Sequence, residues 1–183
     1  MALIVGTSGA DSLLGTAAAD TIIGYGGNDY LDDGSGAGLD TLIGGAGNDT
    51  YYVHVAGASV FEVADEGTDI IRTTLSSFTQ RKNVENLVFI GTGNFTGIGN
   101  GWSNMLAGGA GDDFLSAMGG DDIIIGGQGS DLLIGGAGLN DFRYVGNETR
   151  VDRILDFVVG KDRIGLSTAG FAPTTFYSYE AGT

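Results

Sequence analysis

Large apolar residues recur along this chain two places after an acidic or amide residue, and the pair returns with a period of nine. Leu13, Ile22, Leu31, Leu42 and Tyr51 follow Asp11, Asp20, Asp29, Asp40 and Asp49 in this way. Leu106, Leu115, Ile124, Leu133 and Phe142 follow Asn104, Asp113, Asp122, Asp131 and Asn140. The six residues ending on each Asp or Asn are glycine-rich, as in GYGGND from Gly24 and GGAGDD from Gly108. Glycine and Asx residues take the positive φ angles of a tight turn. The three residues around each apolar position then form a short strand whose middle side chain points one way and whose neighbours point the other. Two units make one coil. The pattern therefore predicts an all-β fold, a parallel β-roll (β-solenoid) of nine-residue repeats, with turns two repeats apart stacked on one another. A disordered Gly/Asp linker has no reason to keep a bulky hydrophobe in one register.

The units form two arrays within a single elongated domain. Residues 6–52 make the first, interrupted by the two-residue insertion Asp33–Gly34, and residues 99–143 make the second at an unbroken period. Between them, residues 53–98 carry β-type runs at Val60/Val63, Ile70–Leu75 and Val84–Ile90, which predict a spacer that continues the solenoid with longer coils. Residues 144–183 are expected to cap the roll. There Ile164 and Leu166 alternate as a strand covering an open sheet end, with Phe157 packed nearby.

Charge adds a constraint. Acidic residues outnumber basic ones 23 to 8, giving a net charge of −15, and there is no cysteine. Such a chain repels nucleic acid and anionic membranes, and a cation is its natural counterpart. Stacked turns set Asp11 over Asp29, Asp29 over Asp49, and Asp113 over Asp131. Like charges at ~4 Å repel by about 4 kcal/mol at an effective dielectric of 20. A hard divalent cation between the turns reverses that term. Oxygen donors with no His or Cys beside them select Ca²⁺. One line of apolar side chains is a thin core to set against the backbone entropy of so many ordered residues, so metal binding is expected to supply folding free energy.

These units resemble the RTX, or haemolysin-type, calcium-binding repeat G-G-x-G-x-D-x-U-x. GGAGNDTYYV (Gly44–Val53), EGTDIIRTTLSSF (Glu66–Phe78) and NVENLVFIGTGN (Asn83–Asn94) resemble the spacer between such arrays in secreted bacterial proteins, and DRILDFVVGKDRIGL (Asp152–Leu166) resembles the segment closing the roll in serralysin-type proteases. The resemblance implies calcium held between turns one coil apart by main-chain carbonyls and both sixth-position carboxylates. One implied site joins Gly109, Gly111 and Asp113 to Gly126, Gln128 and Asp131. Another joins Gly27 and Asp29 to Gly44, Ala46 and Asp49. Asp11 with Asp29 and Asp20 with Asp40 are further pairs. Sites joining Asn104 or Asn140 to Asp122 lose a charge and are expected to be weaker. Ala17–Ala19, the insertion at Asp33–Gly34 and Trp102 depart from the pattern, so about three to five ions are expected rather than one per repeat. The resemblance further implies a bacterial extracellular protein, exported through a type I secretion apparatus and folding in the calcium of the medium.

Catalytic signals are missing from the sequence. His54 is the only histidine and reads as an exposed strand residue; H-E-x-x-H, G-x-S-x-G and G-K-[ST] are absent. The reading is a binding and folding module without enzymatic activity. Its rivals are the non-catalytic C-terminal domain of a secreted protease or alginate epimerase, and a polysaccharide-adhesion module. Glu62, Asp65, Glu66 and Asp69 read as solvated surface. Arg143, Arg150, Arg153, Lys161 and Arg163 are expected to pair with Asp141, Glu148, Asp152, Asp156 and Asp162; the alternative is an acidic-polysaccharide patch centred on Arg150 and Arg153. Met1–Val5 is too short for a signal peptide, no apolar run reaches the ~20 residues of a membrane span, and Tyr177–Thr183 reads as a whole or truncated secretion signal.

Overall fold

The computed structural model describes residues 1–64, 66–145 and 151–167. Within them the chain forms short strands and no helix. In chain order these are β1 (Leu3–Val5), β2 (Ser12–Leu14), β3 (Thr21–Gly26), β4 (Tyr30–Asp32), β5 (Thr41–Ala46) and β6 (Thr50–Val53). Through the spacer run β7 (Ser59–Phe61), β8 (Ile70–Thr73), β9 (Ser77–Thr79), β10 (Asn86–Phe89) and β11 (Thr96–Ile98). The second array holds β12 (Met105–Ala110), β13 (Phe114–Ser116), β14 (Ile123–Gln128), β15 (Leu132–Ile134) and β16 (Asp141–Val145), and β17 (Arg153–Ile154) and β18 (Arg163–Ser167) close the chain.

Consecutive strands lie on opposite faces and pair in parallel with the strand two places on, except that β7 does not pair with β9. The even-numbered strands make one unbroken nine-stranded sheet from β2 to β18. The odd-numbered strands make a four-stranded sheet, β1 to β7, and a five-stranded sheet, β9 to β17. This is the parallel β-roll that the nine-residue period predicts.

The core is the line of apolar residues two places after each Asp or Asn. Ile22, Leu31, Leu42, Tyr51, Leu106, Leu115, Ile124, Leu133 and Phe142 are buried, while Leu13, in the first even-numbered strand, is partly buried. Register stacks like on like: Leu13 on Leu31 on Tyr51, and Leu106 on Ile124 on Phe142. In the first array Ser12, Thr21, Tyr30, Thr41 and Thr50 hold alternate positions, exposed or half-buried, and a slip of one residue would turn them inward and expose the apolar row; in the second array those positions are themselves largely apolar, as at Ile123, Ile125, Leu132 and Ile134.

The spacer continues the solenoid, but its coils are not uniformly longer. Asp69 and Glu85 occupy equivalent places 16 residues apart, against 18 for Asp113 and Asp131 and 20 for Asp49 and Asp69. Here Phe89 and Phe95 stack at 4.6 Å and widen the core where Gly97 takes the place of a large side chain. The spacer is also where the odd-numbered face divides. At the C-terminal end β18 does pair with β16, and Phe157 lies 6.2 Å from Phe142, but Ile164 and Leu166 remain half exposed because β18 is itself the sheet edge. Tyr177–Thr183, with Glu148 and Arg150, lies outside the described residues.

Candidate metal centres along the stacked turns

Stacked coils bring the turn-ending residues into two columns, one on each edge of the roll. A single hydrogen bond repeats down both. The main-chain N–H of each turn-ending residue donates to the Oδ1 of its counterpart one coil later: Asp11 to Asp29 at 2.8 Å, Asp29 to Asp49 at 2.8 Å, and Asp49 to Asp69 at 2.8 Å. On the other edge Asp20 donates to Asp40 at 2.6 Å and Asp113 to Asp131 at 2.8 Å. Asn104 donates to Asp122, and Asp122 to the amide oxygen of Asn140. These N–H groups are buried, and a buried donor needs an acceptor. One oxygen of each carboxylate is therefore structural, and the stacking of like charges is partly offset by backbone dipoles.

The second oxygen divides the turns into two kinds. In the first two turns Thr follows the opening glycine. Thr7 N–H and hydroxyl donate to Asp11 Oδ2 at 2.6 and 2.9 Å, and Thr16 N–H and hydroxyl donate to Asp20 Oδ2 at 2.8 and 2.6 Å. In the turns ending at Asp29, Asp40, Asp49, Asp113, Asp122 and Asp131, Oδ2 is buried with no hydrogen-bond partner. The difference lies at the turn's second residue. It has positive φ in all six: Tyr25 (77°), Gly34 (76°), Gly45 (94°), Gly109 (93°), Met118 (76°) and Gly127 (105°). A β-branched residue such as Thr resists that region. Thr7 and Thr16 instead keep negative φ and turn their N–H onto the carboxylate. Asn100 does the same for Asn104, its N–H donating at 2.8 Å.

Unpaired carboxylate oxygens sit over bare glycine α-carbons. A Cβ on Gly24 would meet Asp29 Oδ2 and stand 2.7 Å from the carbonyl oxygen of Gly44. A Cβ on Gly108 would meet Asp113 Oδ2 and stand 2.7 Å from the carbonyl oxygen of Gly126. Carbonyls of Gly109 and Gly111 face Gly127 and Gly129 of the next turn, and that of Gly27 faces Gly47. Carbonyls of Ala46 and Gln128 accept the N–H groups of Gly27 and Gly111 at 2.8 and 2.9 Å, leaving each a second lone pair. Carboxylate and carbonyl oxygens without N or S donors fit a hard divalent cation of the calcium class.

Electrostatics separates the two kinds of turn in the same way. Burial pushes Asp113 and Asp122 up to about 7, and also raises Asp29, Asp49 and Asp131. The bond from the Thr16 hydroxyl lowers Asp20 below its ordinary value. A carboxyl raised by desolvation gains most from a neutralising cation.

Every turn-ending residue named from the sequence falls in one of the two columns. The structure pairs Asp113 with Asp131 and Asp29 with Asp49, both with their second oxygens available. It also stacks Asp11 on Asp29 and Asp20 on Asp40, but Thr7 and Thr16 have taken the second oxygens of Asp11 and Asp20. The columns extend beyond the repeats, which the sequence reading missed. Asp69 accepts from Asp49, Glu85 from Asp69, Asp152 from Asp131, and Asp162 from Asn140. All four keep the acid-x-apolar triplet of the repeat, ending at Ile71, Leu87, Ile154 and Ile164; Gly67 and Gly160 keep the glycine two places before Asp69 and Asp162, and the turn's opening glycines are gone.

Five acidic assignments change as a result. Asp69 is not solvated surface but 1% exposed, and one Glu62 oxygen is buried and unpaired; their turn returns to the column edge instead of pointing outward. Burial raises Asp69 to about 6 and Glu62 to about 9. Asp152, Asp156 and Asp162 accept main-chain N–H groups, which fixes them in the turns. Of the expected Arg–Asp pairings, the structure shows Arg143 and Arg163 together on Asp141 at 2.6 and 2.9 Å.

His54 is half buried rather than exposed. It stacks on Tyr52, which stacks on Tyr30, and its N–H donates to Asp33. Asp32 and Asp33 approach this ring, but both oxygens of Asp33 accept N–H groups from His54 and Val55, a structural role for a buried acid.

A family model described as the RTX calcium-binding nonapeptide repeat (four copies) matches residues 5–37, 35–53 and 98–141, half of the chain in all. Two curated proteins of Rhizobium meliloti (strain 1021) are similar. Endo-1,3-1,4-beta-glycanase ExsH is 39% identical over 85 residues, 46% of this chain and 18% of that protein. Endo-1,3-1,4-beta-glycanase EglC is 38% identical over 69 residues, 38% of this chain and 14% of that protein. The chain thus spans less than a fifth of the length of either relative.

Proposed function

Since the chain belongs to the RTX calcium-binding nonapeptide repeat family, we propose that it is a non-catalytic extracellular module that folds when calcium enters its turns. Calcium binding belongs to the repeats; which turns take ions, and what binding accomplishes, is our reading. The observation that carries it is the set of buried, partnerless Oδ2 atoms on Asp29, Asp40, Asp49, Asp113, Asp122 and Asp131. Desolvated carboxylates in stacked turns oppose folding until a cation neutralises them. When bound, calcium supplies positive charge and coordination to these oxygens. The chain's own residues position it through the Oδ1 bonds and the bare glycines. The turns of Asp11 and Asp20, satisfied by Thr7 and Thr16, do not take part.

Calcium in the ~10⁻⁴–10⁻³ M range typical of extracellular sites would drive folding outside the cell, consistent with secretion by a type I apparatus. Circular dichroism tests the reading: a coil-like spectrum in chelator should become β-type on adding Ca²⁺, and an unchanged spectrum overturns it.

A second reading follows from the relatives. Both carry the name glycanase, and this chain matches only a small part of each. The module would then be the calcium-folded, non-catalytic part of a secreted polysaccharide-degrading protein, a closer fit than a protease or an epimerase. A polysaccharide partner would belong to that context. Among the described residues no helix is long and apolar enough to cross a membrane.

A further inference from the structure

The junction of the first array and the spacer holds a group of acids that the repeat does not explain. Asp49 ends the last turn of the first array, Asp69 ends the spacer turn stacked on it, and Glu62 follows β7. One carboxylate oxygen from each lies within 4.8 Å of the others. Asp49 is fully buried, and its Oδ2 has no hydrogen-bond partner. That oxygen shares the space over the Gly44 α-carbon with Glu62 Oε1 and the Tyr51 hydroxyl, so it is aimed into the group. Tyr51 donates to Glu62 Oε1, and Glu62 Oε2 is buried without a partner. Structural duties do not exhaust these acids. Asp49 Oδ1 accepts from Asp29 and Asp69 Oδ1 from Asp49, which leaves one oxygen of each.

We propose that Asp49, Glu62 and Asp69, with the Tyr51 hydroxyl, form a separate divalent-cation site that fastens the spacer to the first array. It rests on the reading that the stacked turns take calcium, and differs from a repeat site in its donors. Glu62 lies outside the nine-residue frame, and the turn that supplies it lacks the opening glycines of a repeat, keeping only Gly67 over Gly47. The donor set is entirely oxygen, irregular and anionic, which suits Ca²⁺ better than Mg²⁺ with its demand for a near-ideal octahedron. Position gives the site its purpose. Glu62 directly follows β7, the last strand of the four-stranded sheet, where main-chain pairing on the odd-numbered face stops. A cation here joins the end of that sheet to Asp69, which leads into β8 of the continuous face.

The test is calcium titration calorimetry on the full chain, with terbium luminescence as a second readout. Glu62→Gln should bind about one ion fewer than the unaltered chain while keeping its β-type spectrum in calcium. Asp131→Asn, which alters a repeat site and leaves the junction intact, is the control for reading stoichiometry. Tyr51→Phe, which keeps all three carboxylates, is the second variant should Glu62→Gln fail to fold. Tyrosine-sensitised Tb³⁺ emission should fall in Tyr51→Phe, because the phenol beside the junction ion is gone. An unchanged ion count in folded Glu62→Gln, or unchanged emission per bound Tb³⁺ in Tyr51→Phe, overturns the junction site alone. If the unaltered chain binds no calcium, the reading of the repeats falls with it.

Discussion

The first two turns and the turns of the second array hold the same carboxylate in the same place and use it differently. Asp20 and Asp131 each lend Oδ1 to a main-chain N–H of a neighbouring coil. Asp20 then spends Oδ2 on Thr16, whereas Asp131 leaves Oδ2 buried and unpaired. One residue at the second place of the turn decides between a carboxylate satisfied within its own turn and one left with an unpaired oxygen, the kind that we propose an ion completes. On that proposal a sixth-position aspartate is not enough to define a calcium site.

The largest test of this contrast is pH. Without calcium, Asp113 and Asp122 ionise near 7 in the fold against 3.8 as free groups, and Glu62 near 9 against 4.5. A raised pKa means that the folded form holds its proton longer. Stability from these groups is complete below about pH 4 and is lost as pH rises through 7 to 9, by on the order of several kcal/mol. Asp20 has the opposite sign: its lowered pKa contributes above 3.8 and is lost in acid. Chelated protein, coil-like at neutral pH, should therefore gain β structure as pH falls toward 4, and calcium affinity should rise across the window in which that structure is lost. Circular dichroism in chelator at a series of pH values, with calcium titrations beside it, checks both; a β signal in chelator that grows from pH 5 to 8 would break the contrast.

Next comes Asp131→Asn, which keeps an oxygen for Asp113 N–H and removes the charge. In saturating calcium it should cost about 2–3 kcal/mol of ion-linked stability, and in chelator near pH 4, where the calcium-free fold is favoured, nothing. Asp20→Asn should change stability equally in both conditions. Thr16→Ala should cost about 1 kcal/mol in either condition, because Asp20 Oδ2 keeps the main-chain N–H and loses the hydroxyl, one of its two donors. The smallest effect is a gain. Met118 is held at φ 76°, and Met118→Gly should raise stability by about 1 kcal/mol, read as a higher unfolding midpoint.

The nine-residue period contained the roll, its register and its inward row, since Leu115, Ile124 and Leu133 must all point one way if any does. What escaped were the places where that frame lapses. Asp69, Glu85, Asp152 and Asp162 continue the columns because the N–H of the preceding coil needs an oxygen, a requirement independent of glycine. An acid-x-apolar search without the glycines recovers them. The role of Thr7 and Thr16 was open to inspection too, but only the geometry shows that a β-branched second residue turns its own N–H onto the acid.

The column bonds all run in one sense, from the amide of an earlier coil to the carboxylate of the next. The amide of each of these turn-ending residues is therefore satisfied by the coil that follows, while its carbonyl serves that coil in return, as Asp113 accepts from Leu132 N–H. The two ends of the roll are thus chemically unlike: the last repeat turns lean on Asp152 and Asp162 beyond them, which accept from the amides of Asp131 and Asn140. Shortening the chain from the front trims one coil at a time, whereas cutting behind Asp131 strips a completed coil of its acceptor.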